Sequence, residues 1–173
     1  MTITLRPASL TDAPLLAEFG RETFVAAFGH LYAREDLDTF LREVFAGEVV
    51  AQEIAGPECI HQLAWAGAKL AAYCKLRAPS WYAGYSDAAN PLGLDQLYTK
   101  PAMIGQGIGA ALMEWALAEA TVRGHDAVQL SVWSENTRAQ RFYQRYGFKH
   151  VADIDFWVGE HRDDEFLYEL RLR

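Results

Sequence analysis

Apolar and polar positions follow two rhythms along this chain. In REDLDTFLREVF, Leu37, Phe40, Leu41, Val44 and Phe45 recur at i, i+3, i+4, i+7 and i+8, which puts them on one face of an amphipathic helix. LLAEFGRETFVAAF also reads as helix, with Thr11 the expected N-cap, Pro14 in the first turn and a bend or break at Gly20. A small-faced helical pattern runs from Gly107 to Arg123, where Ala110 and Ala111 permit a close approach to a sheet, and TRAQRFYQRY gives another helix. Shorter runs mark strands: ITLRPA, a pair within CIHQLAWAGAKLAAYCKL around a turn at Gly67, LDQLYT after the turn-rich YSDAANPLG, and DAVQLSVW. FKHVADIDFWV and EFLYELRL close the chain as an antiparallel pair. The order β-αα-βββ-α-β-α-ββ, consecutive strands first and alternation afterwards, predicts an α/β fold with a mixed rather than fully parallel sheet.

Composition narrows the class. A chain of 173 residues, 51% hydrophobic and 23% charged, is expected to form one compact domain over residues 1–173. The formal net charge of −7 argues against nucleic acid as a partner, since such binding relies on Lys and Arg neutralising phosphates, and it suits cationic substrates. MTITLRPASL has no apolar run of signal-peptide length, and no segment approaches the roughly 20 apolar residues of a membrane span, so a cytoplasmic protein with no membrane partner is expected. Cys59 and Cys74 lack a C-x-x-C spacing and read as small buried hydrophobes. His30, His61, His125, His150 and His161 are scattered, with no helical ligand pair, so no metal is expected.

Two stretches carry candidate chemistry. LYTKPAMIGQGIGAA places Gly105, Gly107 and Gly109 on alternate positions between a strand and a helix. Glycine there lets the main chain approach a ligand and turns backbone N–H groups toward an anion at the helix N-terminus; a plain tight turn is the alternative. The spacing G-x-G-x-G is not the Rossmann G-x-G-x-x-G, and no G-K-[ST] of a P-loop follows. In LSVWSENTRAQRFYQRYGF, Asn136 and Tyr143 lie seven positions apart on one helix face, and Arg138, Arg141 and Arg145 form a basic stripe. Core packing would account for the tyrosine equally well, and a solvated face for the arginines.

Together, in this order of elements, the two stretches resemble the GNAT superfamily of acetyl-CoA-dependent N-acetyltransferases. The resemblance implies a mostly antiparallel central sheet flanked by helices. It implies that the main chain of Leu97, Tyr98 and Thr99 binds the pantetheine arm of acetyl-CoA. It assigns the pyrophosphate to the amides of Gly105, Gln106, Gly107, Ile108, Gly109 and Ala110, a cofactor contact to Asn136, and to Tyr143 the role of general acid near the thioester sulfur. The chain departs from the family at Ile104, where Arg or Gln is usual, so a side-chain contact is lost there while the amide remains.

The implied reaction is direct attack of a primary amine on the thioester, without a covalent enzyme intermediate. An aliphatic amine of pKa near ~10.4 is mostly protonated at neutral pH, so deprotonating it costs roughly 4–5 kcal/mol unless the site helps. Asp95, on the strand entering the glycine loop, is the carboxylate that sequence places best for that task.

RETFVAAFGHLYAREDLDTFLREVF and the tail FWVGEHRDDEFLYEL look like the PaiA-type branch, which acetylates spermidine and spermine. On that reading Glu22, Tyr32, Trp81, Tyr82 and Asp155 join Asp95 as candidate contacts to a polycation, offering carboxylates and aromatic faces. The alternatives are acetylation of a peptide N-terminus or another small amine, and a module that binds acyl-CoA without turnover. Family habit suggests a homodimer.

Overall fold

The computed structural model describes residues Met1–Arg173. Strands β1 (Ile3–Pro7), β2 (Cys59–Ala66), β3 (Lys69–Arg77), β4 (Pro91–Thr99), β5 (Ala127–Trp133), β6 (Lys149–Val158) and β7 (His161–Arg171) form one sheet in the order β1-β2-β3-β4-β5-β7-β6. Every neighbouring pair is antiparallel except β4 and β5. The five helices are α1 (Ala13–Phe28), α2 (Arg34–Phe45), α3 (Gly47–Ala55), α4 (Ile108–Val122) and α5 (Thr137–Arg145), and the sheet is mixed and mostly antiparallel, as expected.

Packing on the two faces follows from which side chains each helix can bury. α4 lays Ile108, Leu112, Met113, Ala116 and Ala120 against Leu76, Leu92, Val128 and Leu130, and its alanines bring the helix axis close to the sheet. On the opposite face Leu16, Phe19 and Val50, from α1 and α3, meet Leu63, Leu70 and Tyr73. α2 buries Phe40 and Phe45, which join Phe24 of α1 and Val158 of β6 in an aromatic cluster. The amide of Glu160 in the β6–β7 turn donates to Asp36 at 2.8 Å, which fastens the start of α2 to the far end of the sheet.

Three details differ from the sequence reading. α3 was not anticipated, because it has only nine residues and a single buried side chain, Val50, so no apolar periodicity marks it. Ser9 rather than Thr11 starts the first helical region: its amide and hydroxyl both bond Asp12 in a capping box before a short 3-10 turn, Leu10–Asp12. Gly20 neither breaks nor ends α1, which runs unbroken from Ala13 to Phe28; a Cβ there would stand 2.6 Å from the Phe45 ring and 2.8 Å from the Tyr73 hydroxyl. That glycine is a contact residue. No helix is long and apolar enough to cross a membrane.

Candidate active site

The site begins where the only parallel pair comes apart. β4 and β5 are joined through Pro91–Gly93 and Ala127–Gln129 alone. Beyond Gly93, β4 stays paired to β3 out to Thr99, so from Leu94 onward its other edge lies open with unpaired backbone groups. Asp95 is the extra residue of a β-bulge, since Leu76 and Lys75 face Leu94 and Gln96. The divergence opens a cleft of about 640 Å³ lined by β4, the glycine loop, the first turn of α4, β5, α5 and α1.

One side of the cleft suits an anion. After β4 a short 3-10 turn, Pro101–Met103, leads into the loop, where Gly105 and Gly107 have φ of +85° and +80°. L-residues with side chains are strained in that region, and Gly107 sits there as the residue preceding α4, so the loop amides and the positive end of the helix dipole converge. Gly105, Gly107, Ile108, Gly109 and Ala110 line the cleft. Gln106 does not; its Nε2 donates back to the carbonyl of Ala102 at 3.3 Å. Arg138 and Arg145 of the basic stripe add positive charge at the rim, whereas Arg141 lies outside the cleft.

α5 follows β5 and lines the cleft where the two strands have parted. Asn136 caps it, its Oδ1 accepting from the amide of Ala139 at 3.1 Å, and it lines the cleft. Tyr143, two turns on, lines the cleft too, its ring held by Phe142 and Phe148. The hydroxyls of Tyr32, Tyr73 and Tyr82 are tied to Asp163, Gln96 and Ser131. That of Tyr143 has no protein partner, and burial raises its pKa above the ordinary phenol value. Leu97, Tyr98 and Thr99 complete this wall.

The opposite side is aromatic and acidic. Phe24, Phe28, Tyr32 and Phe156 line it, and Tyr32 donates to Asp163 of β7 at 2.5 Å. Glu165, two residues further along β7, faces the cleft opposite Trp133 of β5. Burial lifts its carboxyl from an ordinary 4.5 to about 7; the polar Ser131 side chain nearby works against that rise and the charge of Asp163 adds to it. Glu165 also lines a smaller adjoining depression of about 360 Å³, together with Asp153, Asp155 and Asp164.

The residues expected to form the acceptor side are dispersed by the fold. Asp95 borders the cleft, yet its Oδ2 accepts from Arg77 Nε at 2.7 Å and lies 3.8 Å from Lys75 Nζ, inside a buried ion network that continues to Glu53. Glu22 is exposed on α1, away from the cleft, and Trp81 is 69% exposed with its ring under the Arg77 guanidinium at 4.2 Å. Tyr82 is outside the lining but bonds Ser131, which is within it. Asp155 borders the small depression and pairs with Arg162 at 2.6 Å. Tyr32 alone of that group, with Asp95, lines the main cleft.

Sequence reasoning missed Glu165. Its only signal is position: in DDEFLYEL it is one of several carboxylates, and what sets it apart is the β5–β7 register, which brings it to the end of β5 just before Asn136.

Comparison with known proteins agrees with this geometry. A family model described as Acetyltransferase (GNAT) family matches residues 18–148. An uncharacterised N-acetyltransferase from Lactobacillus delbrueckii is 26% identical over 163 residues, 93% of this chain and 92% of that protein. Spermidine N(1)-acetyltransferase from Thermoplasma acidophilum is 28% identical over 158 residues, 90% of this chain and 92% of the relative. The crystal structure of the PaiA N-acetyltransferase from Thermoplasma acidophilum in complex with coenzyme A superposes with a TM-score of 0.81 at 24% identity, covering 99% of this chain and all of that one (100%).

Proposed function

The chain belongs to the GNAT acetyltransferase family and is an acetyl-CoA-dependent N-acetyltransferase; from that premise we propose that its acceptor is a polyamine, spermidine or spermine. The observation that carries this reading is the pair of adjoining cavities, the main cleft and a second depression in which Asp153, Asp155, Asp164 and Glu165 are four of the seven lining residues. A flexible chain bearing several ammonium groups has more than one charge to satisfy, and a row of carboxylates leading away from the reaction centre meets that demand. The net charge of −7 supports attraction at a distance, and the likeness to a spermidine acetyltransferase supports the substrate class.

The residues on the cofactor side fit acetyl-CoA. The open edge of β4 from Leu94 to Thr99 offers main-chain groups for an amide-containing arm, and the two positive-φ glycines leave space a Cβ would take. Acetyl-CoA supplies an activated thioester. The amides of Gly105, Gly107, Ile108, Gly109 and Ala110, with Arg138 and Arg145, would hold phosphate charge; Asn136 fixes the start of α5; Tyr143 would present a protonated phenol to the sulfur that leaves. A phenol holds its proton at neutral pH, so the proton is available to the departing thiolate.

The test is a competition assay in which spermidine, spermine, a peptide with a free N-terminus and a lysine-containing peptide are offered together. The polyamines are expected to lead in kcat/KM, and that lead is expected to shrink as salt rises, because exposed charges are screened beyond a Debye length of about 8 Å at physiological ionic strength. A peptide ranking above both polyamines would overturn the substrate assignment.

A further inference from the structure

Glu165 is the one carboxylate at the reaction end of the cleft that no cation neutralises. Its counterpart across the cleft, Asp95, is bound to Arg77 and Lys75. Around Glu165 the fold supplies instead Ser131 from β5, Asp163 from its own strand, and Asp153 and Asp155 from β6 in the adjoining depression. Tyr32, Tyr98 and Tyr143, from three different segments, line the same cleft as Glu165. His161, the nearest histidine on β7, is engaged with Asp163 at 3.0 Å.

We propose that Glu165 takes the proton from the attacking ammonium group. The inference rests on the N-acetyltransferase activity and not on which amine is the acceptor. The substrate ammonium gives one proton to a Glu165 carboxylate oxygen. The neutral nitrogen forms a C–N bond to the acyl carbon as the C–S bond breaks. Tyr143 protonates the departing sulfur and is restored by the second proton lost from nitrogen, and Glu165 releases its own proton to solvent. An acceptor of this kind works best when its pKa lies close to the operating pH, and burial beside Asp163 has brought Glu165 to about 7. A solvated carboxylate would be too weak a base for the task.

The experiment has a binding-free arm and a kinetic arm. In the first, the carboxyl signal of Glu165 is followed by NMR against pH in protein carrying isotope-labelled glutamate, assigned by its loss in Glu165→Gln. A midpoint near neutrality is expected. In the second, acetyl-CoA affinity and the pH profile of kcat/KM are compared for wild type and Glu165→Gln, with spermidine and with trifluoroethylamine, an amine largely neutral without help. Unchanged acetyl-CoA affinity, a fall of about 100-fold for spermidine, a fall of less than about tenfold for trifluoroethylamine, and loss of the acidic limb would support the assignment. Equal losses for both amines, an acidic limb that survives in Glu165→Gln, or a midpoint in the ordinary carboxylate range would overturn it. If spermidine is not turned over but a peptide amine is, the polyamine reading fails alone, and the same comparison with that peptide decides the role of Glu165.

Discussion

Gly93 and Gln129 face each other at the last paired position of β4 and β5, and the cleft starts at the next residue. Everything the cofactor side needs lies on segments that leave this point. β4 runs on to the glycine loop, and β5 runs on to Asn136 and α5. Gln129 itself is fully buried and bonds Ser80 and Glu169, so the fork is braced from below.

Gly107→Glu should abolish acetyl-CoA binding. The backbone there has a φ of +80°, and a carboxylate would add negative charge beside amides aimed at phosphate. Calorimetry on protein that circular dichroism shows to be folded should find affinity reduced roughly 100-fold or more. Unchanged affinity would remove the loop from the cofactor site.

Tyr143→Phe separates chemistry from packing. The ring contacts with Phe142 and Phe148 survive the change, and the lost hydroxyl has no protein partner. Thermal stability should hold while kcat falls about 100-fold where chemistry limits turnover. A variant with wild-type kcat would dismiss the proton donor.

Stability should respond to pH through one half-buried and one buried group of opposite sign. Glu165 titrates near 7 in the folded protein against an ordinary 4.5, so the folded state holds a proton the unfolded chain gives up; stability falls as pH rises through that window, by an amount on the order of 3 kcal/mol at most. His61 is pulled down to about 3 by burial and by Lys75 and Arg77, against an ordinary 6.5, so stability is lost as pH drops through that range. Urea melts across pH should show Glu165→Gln flattening the neutral side and His61→Leu the acidic side. A curve unaltered in both variants would contradict the two environments.

Gly20→Ala should destabilise the fold although alanine is the better helix former. The propensity gain is about 1 kcal/mol, whereas overpacking a rigid aromatic contact costs about 1–3 kcal/mol, and the new Cβ would meet the Phe45 ring at 2.6 Å. A lower melting temperature is expected. A rise would mean that α1 can move away from Phe45 without cost.

The cofactor half was legible because its signals are local. Alternate glycines entering a helix, and Asn136 and Tyr143 spaced by two turns, are properties of contiguous stretches. The acceptor half was not. Whether Asp95 is free or ion-paired depends on Lys75 and Arg77 of a neighbouring strand, and whether Glu165 is solvated depends on the register of β7 against β5. Gly20 misled for the same reason: its role is set by Phe45 and Tyr73, not by its helical neighbours.

The bond from Tyr32 to Asp163 joins residues 131 positions apart, and that from Glu160 to Asp36 spans 124. The wall on the amine side is therefore closed only when the two ends of the chain meet, while the phosphate side is built within the single stretch from β4 to α5. Contacts of such separation carry a large loop-closure entropy, and outside the buried cluster of Phe24, Phe40, Phe45 and Val158 they rest on few bonds. The amine side is consequently the part of the molecule that can loosen by itself: amides of α2 and the β6–β7 turn should exchange hydrogen faster than those of α4, and a bound polycation should slow them.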